Sequence, residues 1–246
     1  MPGFTGDVPP FALVTGAARR LGRALALGLA GAGFAIGLHY HHSQAAAMST
    51  AQEIRASGVP VSLYQADLTD PSQIEAMFDE VRRSQASLSV LINSAAVMNR
   101  GNLRDLSVPE WDATLALNLR APWLCAQHAA RLMQPTGGVI INISDSGTRK
   151  TWTGYSAYII SKSGLEVLTR LLARTLAPAI RVNAVAPGLI LPPEDMPVED
   201  WQRLVKRLPA AGAGNPGDIV STVLFLIRNN YLTGQTIVVD GGYQLI

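Results

Sequence analysis

The chain has a single cysteine among 246 residues. Cys125 has no partner for an internal disulfide. Its place in the helix-like "WLCAQHAARLM" marks it as a core residue, and a reducing compartment fits. Basic residues never run longer than two and the net charge is +2, so the electrostatic footprint of a nucleic-acid binder is missing. No secretory leader is expected either, because "MPGFTGDVPPF" has no basic segment followed by an apolar core. No apolar run approaches the roughly 20 residues that cross a bilayer. The longest uncharged stretch begins at Ala24, but Gly28, Gly31, Gly33 and Gly37 break it and His39–His42 end it, so it reads as helix, turn, strand. These absences point to a cytoplasmic protein with neither nucleic acid nor membrane as partner. No metal site is expected.

What is present is apolar material, 48% of the residues, enough for a large buried core. Short β-like runs alternate with longer helical ones. The expected strands are Phe11–Thr15, Phe34–His39, Val61–Gln65, Ser89–Ile92, Val139–Ile143, Arg181–Val185 and Thr236–Val239. Most are continuous apolar runs, as in parallel strands buried on both faces. The expected helices are Arg20–Ala32, Gln44–Ser57, Pro71–Ser84, Pro109–Met133, Tyr155–Ala177 and Pro216–Arg228. This alternation predicts one α/β domain over residues 1–246, with a doubly wound parallel sheet. The Pro- and Gly-rich region 187–218 reads as irregular and follows a strand end, which is where such folds bind ligands.

"TGAARRLG" lies between the first strand and first helix. Gly16 permits a sharp turn, and Gly22 permits close approach to a pyrophosphate at the helix N-terminus. The acid that would hold a ribose 2′-hydroxyl is absent from the second strand's end, which reads "GLHYHHSQ". Arg20 with His42 or Ser43 would instead suit a 2′-phosphate, predicting NADP(H) as cofactor. The alternative is that these histidines are ordinary exposed strand-end residues. Asp67 in "ADL" is placed to accept from an adenine amino group, and Asp70 to cap a helix. Small residues in "INSAA" would let the chain pass close to the cofactor.

Tyr158 and Lys162 are four apart on a helical segment and share one face. An adjacent ammonium would lower the tyrosine's pKa and fit it for proton transfer. Lysine is scarce here, three against seventeen arginines, which singles out Lys162. Asp145 lies thirteen residues ahead of Tyr158, in the turn-like "SDSG".

With these pieces, the chain resembles the short-chain dehydrogenase/reductase family. "TGAARRLG", "ADL", "INSAA", "LALNLRAPW", "INIS", "YSAYIISK", "RVNAVAPG" and "LTGQTIVVDGGY" occur in order across nearly the whole length. The resemblance implies a Rossmann-like sheet of order 3-2-1-4-5-6-7, a homotetramer and a small-molecule substrate. It makes Tyr158 the proton donor, has Lys162 bind the nicotinamide ribose, and has Asn118 hold a relay water. It also implies cofactor contacts from Leu21, Tyr40, His41, Leu68, Asn93, Ala95, Pro187 and Gly188. Two departures resemble the pteridine reductase branch: Arg20 replaces a glycine, and Asp145 stands at the catalytic serine position. Tyr155 matches a substrate-side aromatic of that branch, and Leu189 joins the expected substrate positions. Met98 replaces its stacking phenylalanine and Ala96 its serine. The expected activity is hydride transfer to a pterin-like C=N bond. The alternatives are a carbonyl reductase of the same family and, more remotely, a cofactor-binding scaffold.

Overall fold

The computed structural model of the protein describes residues 9–85, 87–134, 136–194 and 196–246. Most of the N-terminal stretch read above for a leader, and Asp195 within the 187–218 region, lie outside them.

Seven parallel strands form one sheet of order β3-β2-β1-β4-β5-β6-β7, as the resemblance implies. They are β1 (Phe11–Val14), β2 (Ala35–Tyr40), β3 (Val61–Gln65), β4 (Val90–Asn93), β5 (Gly138–Ile143), β6 (Ile180–Pro187) and β7 (Thr236–Val239). The continuous apolar runs follow from burial on both faces. Along β1, Ala12 and Val14 face one layer while Phe11 and Leu13 face the other. The first layer holds α1 (Arg20–Gly31), α2 (Gln44–Ala56) and α8 (Pro216–Arg228), through Leu25, Leu29, Ile54, Ile219 and Leu226. The second holds α3 (Pro71–Ser84), α5 (Ala121–Met133) and α6 (Ser156–Leu176), through Ile74, Phe78, Ala126 and Leu172. The fully buried large side chains among these, such as Leu25, Ile54, Ile74 and Leu226, each stabilise by about 1.5–3 kcal/mol. Cys125 is completely buried in this second layer, as expected, and burial pushes its thiol up to about 12.

Local signals explain the sharp helix ends. Asp70 caps α3 by accepting from Ser72 N at 2.9 Å, with Pro71 next. Asn215 and Asp218 form a capping box at α8.

Two expectations need correction. The single helix over 109–133 is α4 (Val108–Leu115), a π turn (Ala116–Arg120) and α5. Pro122 has no N–H to offer the carbonyl four residues earlier, that of Asn118, so the ladder widens there. The 187–218 region contains α7 (Val198–Val205), with Glu199 and Asp200 in its first turn and Arg203 in its last, charges that suit the helix dipole.

Strands β2 and β3 wind to one side of β1, and β4 onwards to the other. The order therefore reverses between β1 and β4, and a crevice opens beyond their carboxyl ends.

Candidate active site

A cleft of about 700 Å³ occupies that switch point. Its floor is the turn after β1. Gly16 adopts φ +65°, and a Cβ there would sit 2.9 Å from Ala95 Cα. A Cβ on Gly22 would lie 2.1 Å from the Gly16 carbonyl oxygen. Neither position accepts a side chain without moving backbone. Gly188 is confined likewise, 2.5 Å from Asp240 Cβ by the same measure. Glycine holds the turn open and leaves the α1 N-terminus facing the cleft, the cradle an anionic dinucleotide needs.

Arg20, where glycine is usual, takes φ +52°. A non-glycine residue there costs about 1–3 kcal/mol. Its guanidinium bonds the Pro192 carbonyl at 2.7 Å and lies 3.9 Å from Glu194, tying the glycine turn to the 187–218 region. Leu21, Tyr40, His41, His42, Ser43, Asp67, Leu68, Ala95, Pro187 and Gly188 all line the cleft, as does Arg19, which the sequence reading passed over despite the paired arginines. The His41 and His42 rings lie 3.5 Å apart beyond β2, tilted by 31°. Asp67 accepts from Thr69 N and Oγ1, both at 2.8 Å, through one oxygen and keeps the other 3.9 Å from His41 Nε2.

His39 departs from the exposed strand-end alternative. It is 2% exposed. Gly16 N–H donates to its Nδ1 at 3.0 Å, and its Nε2 lies 3.1 Å from the Ala66 carbonyl oxygen. A neutral ring protonated on Nε2 satisfies both bonds, so it stitches the ends of β1, β2 and β3. Burial, above all, lowers its pKa to about 4. The unfolded chain therefore binds this proton before the folded one does. The stability His39 contributes is complete above about pH 6.5 and is lost as pH falls towards about 4. Between about pH 7 and pH 5, denaturant unfolding should show wild type losing about 2 kcal/mol more than a His39→Gln variant.

At the opposite end, α6 presents Tyr158 and Lys162 to the cleft. Tyr158 Oη donates to Asp145 Oδ2 at 2.6 Å, the short distance of a hydroxyl on a carboxylate. Asp145 Oδ1 accepts from Gly147 N at 2.7 Å and so caps the short turn Ser146–Arg149. The same residue is turn cap and site carboxylate. Lys162 is 3% exposed, and its Nζ donates to the Ile143 carbonyl at 2.8 Å.

Burial lowers Lys162 to about 8, against an upward pull from Asp145. The expected lowering of Tyr158 is not found. Burial first, then the Asp145 charge and hydrogen bond, raise Tyr158 well above 10. Burial also raises Asp145, against its bonds to Tyr158 and Gly147 and the charge of Lys162. Tyr158 is thus held as a phenol with a proton to give, on a carboxylate reluctant to stay ionised.

Not every expected residue reaches this cleft. Asn118 is fully buried, and its side chain holds Val97 N and O at 2.9 and 2.8 Å and Ser161 Oγ at 3.1 Å. Asn93 turns inward to Asn142 at 2.9 Å, which bonds Thr169 in turn. Met98 is 41% exposed and, like Tyr155 and Leu189, is not among the cleft-lining residues; Ala96, Ile190 and Leu191 are. An aromatic group beside the Asp145 turn was also missed. Trp152 lies 6.2 Å from the Tyr155 ring and 5.9 Å from the Tyr243 ring. Lys150 sits 4.3 Å over Tyr243 and bonds the Tyr243 and Ile246 carbonyls, fixing the C-terminal turn. The clustered aromatics of "KTWTGY" were the available signal.

Comparison with known proteins agrees with this architecture. Residues 16–244 match the family described as "Enoyl-(Acyl carrier protein) reductase". The 3-oxoacyl-[acyl-carrier-protein] reductase FabG of Staphylococcus aureus is 37% identical over 240 residues, covering 95% of this chain and 98% of that protein. A chloroplastic NADPH-dependent aldehyde reductase-like protein of Arabidopsis thaliana is 34% identical over 251 residues, covering 94% and 93%. The crystal structure of FolM alternative dihydrofolate reductase 1 from Brucella canis, complexed with NADP, superposes with a TM-score of 0.92 at 33% identity, covering 96% and 94%. Sheet order, glycine cradle and the Tyr158–Lys162 pair, taken with these matches, place the chain in the short-chain dehydrogenase/reductase family of oxidoreductases.

Proposed function

We propose that this enzyme is an NADPH-dependent reductase of a pterin-like C=N bond, of the dihydropteridine or dihydrofolate class. The single observation that carries the reading is the 2.6 Å bond from Tyr158 to Asp145. NADP(H) suits the cradle of Gly16, Gly22 and Gly188 and the acid-free end of β2, where Arg19, Arg20, His41, His42 and Ser43 gather. When bound, the cofactor supplies the hydride. Tyr158 supplies the proton to the ring nitrogen, and the Lys162 ammonium offsets the negative charge left on the phenol oxygen.

Asp145 confers the preference by hydrogen-bond exchange. In the free protein its Oδ2 is satisfied by Tyr158. A pterin brings amide-like N–H and amino donors. It replaces that bond at the carboxylate and releases the phenol towards its ring nitrogen. A ketone has no such donor, so it must draw Tyr158 away and leave Oδ2 of a buried carboxylate without its donor, at a cost of about 1–3 kcal/mol, while Oδ1 keeps Gly147 N. The aromatic group of Trp152, Tyr155 and Tyr243 offers surfaces for a flat ring beside the Asp145 turn. Cytoplasmic location and a homotetramer belong to the same proposal.

A second reading, reduction of a carbonyl such as a 3-oxoacyl thioester, is favoured by the 37% identity to FabG and by Ala96 and Met98. NADPH oxidation with dihydrobiopterin or dihydrofolate, run beside ketones and a 3-oxoacyl thioester, separates the two. Pterin turnover supports the first reading, and carbonyl turnover alone supports the second.

A further inference from the structure

Glu166 lies four residues beyond Lys162 and eight beyond Tyr158, on the same stripe of α6. Its side chain is only 13% exposed. Oε1 accepts from Ser144 Oγ at 2.9 Å and from Arg149 Nη1 at 3.1 Å; Arg149 Nη2 is 3.5 Å from Oε2. Thr148 Oγ1 lies 3.0 Å from both Glu166 Oε1 and the Asp145 carbonyl oxygen, so its one proton is shared between them. These groups bracket Asp145: Ser144 precedes it, and Thr148 and Arg149 follow. Glu166 therefore binds the whole Asp145 turn to the helix that carries Tyr158 and Lys162. A carboxylate with four donors at hand is a much stiffer tie than one neutral bond.

We propose that Glu166 is a positioning residue for proton transfer, setting the Asp145–Tyr158 separation by clamping residues 144–149 onto α6. Without the clamp, Lys162 still bonds the Ile143 carbonyl and Ser144 Oγ lies 3.5 Å from the Lys162 carbonyl oxygen, but among the described residues the one side-chain hydrogen bond left between the 145–149 turn and α6 is Tyr158–Asp145, the bond substrate must break. The clamp is needed most at the moment of exchange. The inference rests on Asp145 and Tyr158 acting together, but not on which substrate they serve.

Glu166→Ala and Glu166→Gln test it, assayed with whichever substrate wild type turns over. Misplacement of a reacting group by about an ångström costs up to about 100-fold. Glu166→Ala should therefore lower kcat by about 10- to 100-fold while NADPH affinity, read by fluorescence titration, changes by less than about twofold. Glu166→Gln keeps an acceptor oxygen for the hydroxyls and should restore most of kcat. It also removes a negative charge facing Asp145, where the other ionisable groups are Tyr158 and Lys162 from α6 and Tyr243 from the C-terminal turn. The pH-profile limb that Asp145→Ser abolishes should then move to lower pH in Glu166→Gln. Wild-type kcat in Glu166→Ala overturns the proposal. So does an unmoved limb in Glu166→Gln, or loss of kcat and NADPH-binding capacity in equal proportion, which would mean a merely structural role. Failure of the pterin reading alone would appear as carbonyl turnover in wild type and would leave these outcomes readable.

Discussion

Tyr158→Phe should reduce turnover of every substrate by roughly 100- to 10,000-fold, the span a positioned acid contributes. NADPH affinity should change by no more than about twofold, because only uniform binding would alter it. The ring is 6% exposed and phenylalanine fills the same space, so the fold is kept. What is lost is the one proton that burial and Asp145 hold on the phenol. Asp145 loses its 2.6 Å donor in the same variant. Rapid-quench measurement of hydride transfer beside an NADPH titration reads both quantities. Turnover within about tenfold of wild type would mean that another group donates the proton.

Asp145→Ser should lower kcat for a pterin by about 100-fold or more, with NADPH affinity again within about twofold. A serine hydroxyl is shorter and neutral, and it meets a donor-rich ring edge less well than a carboxylate does. Tyr158 is freed from a charge-assisted bond, so a carbonyl oxygen then meets a phenol already able to donate. Carbonyl turnover should hold or rise. The variant should fold, because serine can still cap the Ser146–Arg149 turn through Gly147 N.

Much of the fold was legible because its signals are local. Pro71 after Asp70 and Pro216 after Asn215 mark helix starts, and the continuous apolar strands announce burial on both faces. The π turn at Ala116–Arg120 was hidden because helical periodicity runs through it; Pro122 was the one visible warning. In α7 the surrounding prolines and glycines masked Val198, Trp201, Leu204 and Val205, whose spacing is helical.

The site divides in the same way. Tyr158 and Lys162 share a helix, so spacing alone joins them. Asp145 meets Tyr158 only through the packing of β5, its turn and α6, so the residue was visible but its hydrogen bond was not. His39 shows the limit most clearly. "HYHH" cannot say which histidine is buried, since that depends on β2 lying between β1 and β3. The lowered tyrosine pKa failed for a related reason. Lys162 taken alone lowers the tyrosine, whereas burial and Asp145 act on Tyr158 in the opposite direction.

The role given to Asp145 is tested most directly by one ratio, kcat/KM for a dihydropterin over kcat/KM for a 3-oxoacyl thioester, in wild type and in Asp145→Ser. The account predicts a wild-type ratio above one that falls at least about 100-fold in the variant. A ratio below one in wild type, or one that Asp145→Ser leaves unchanged, would contradict it.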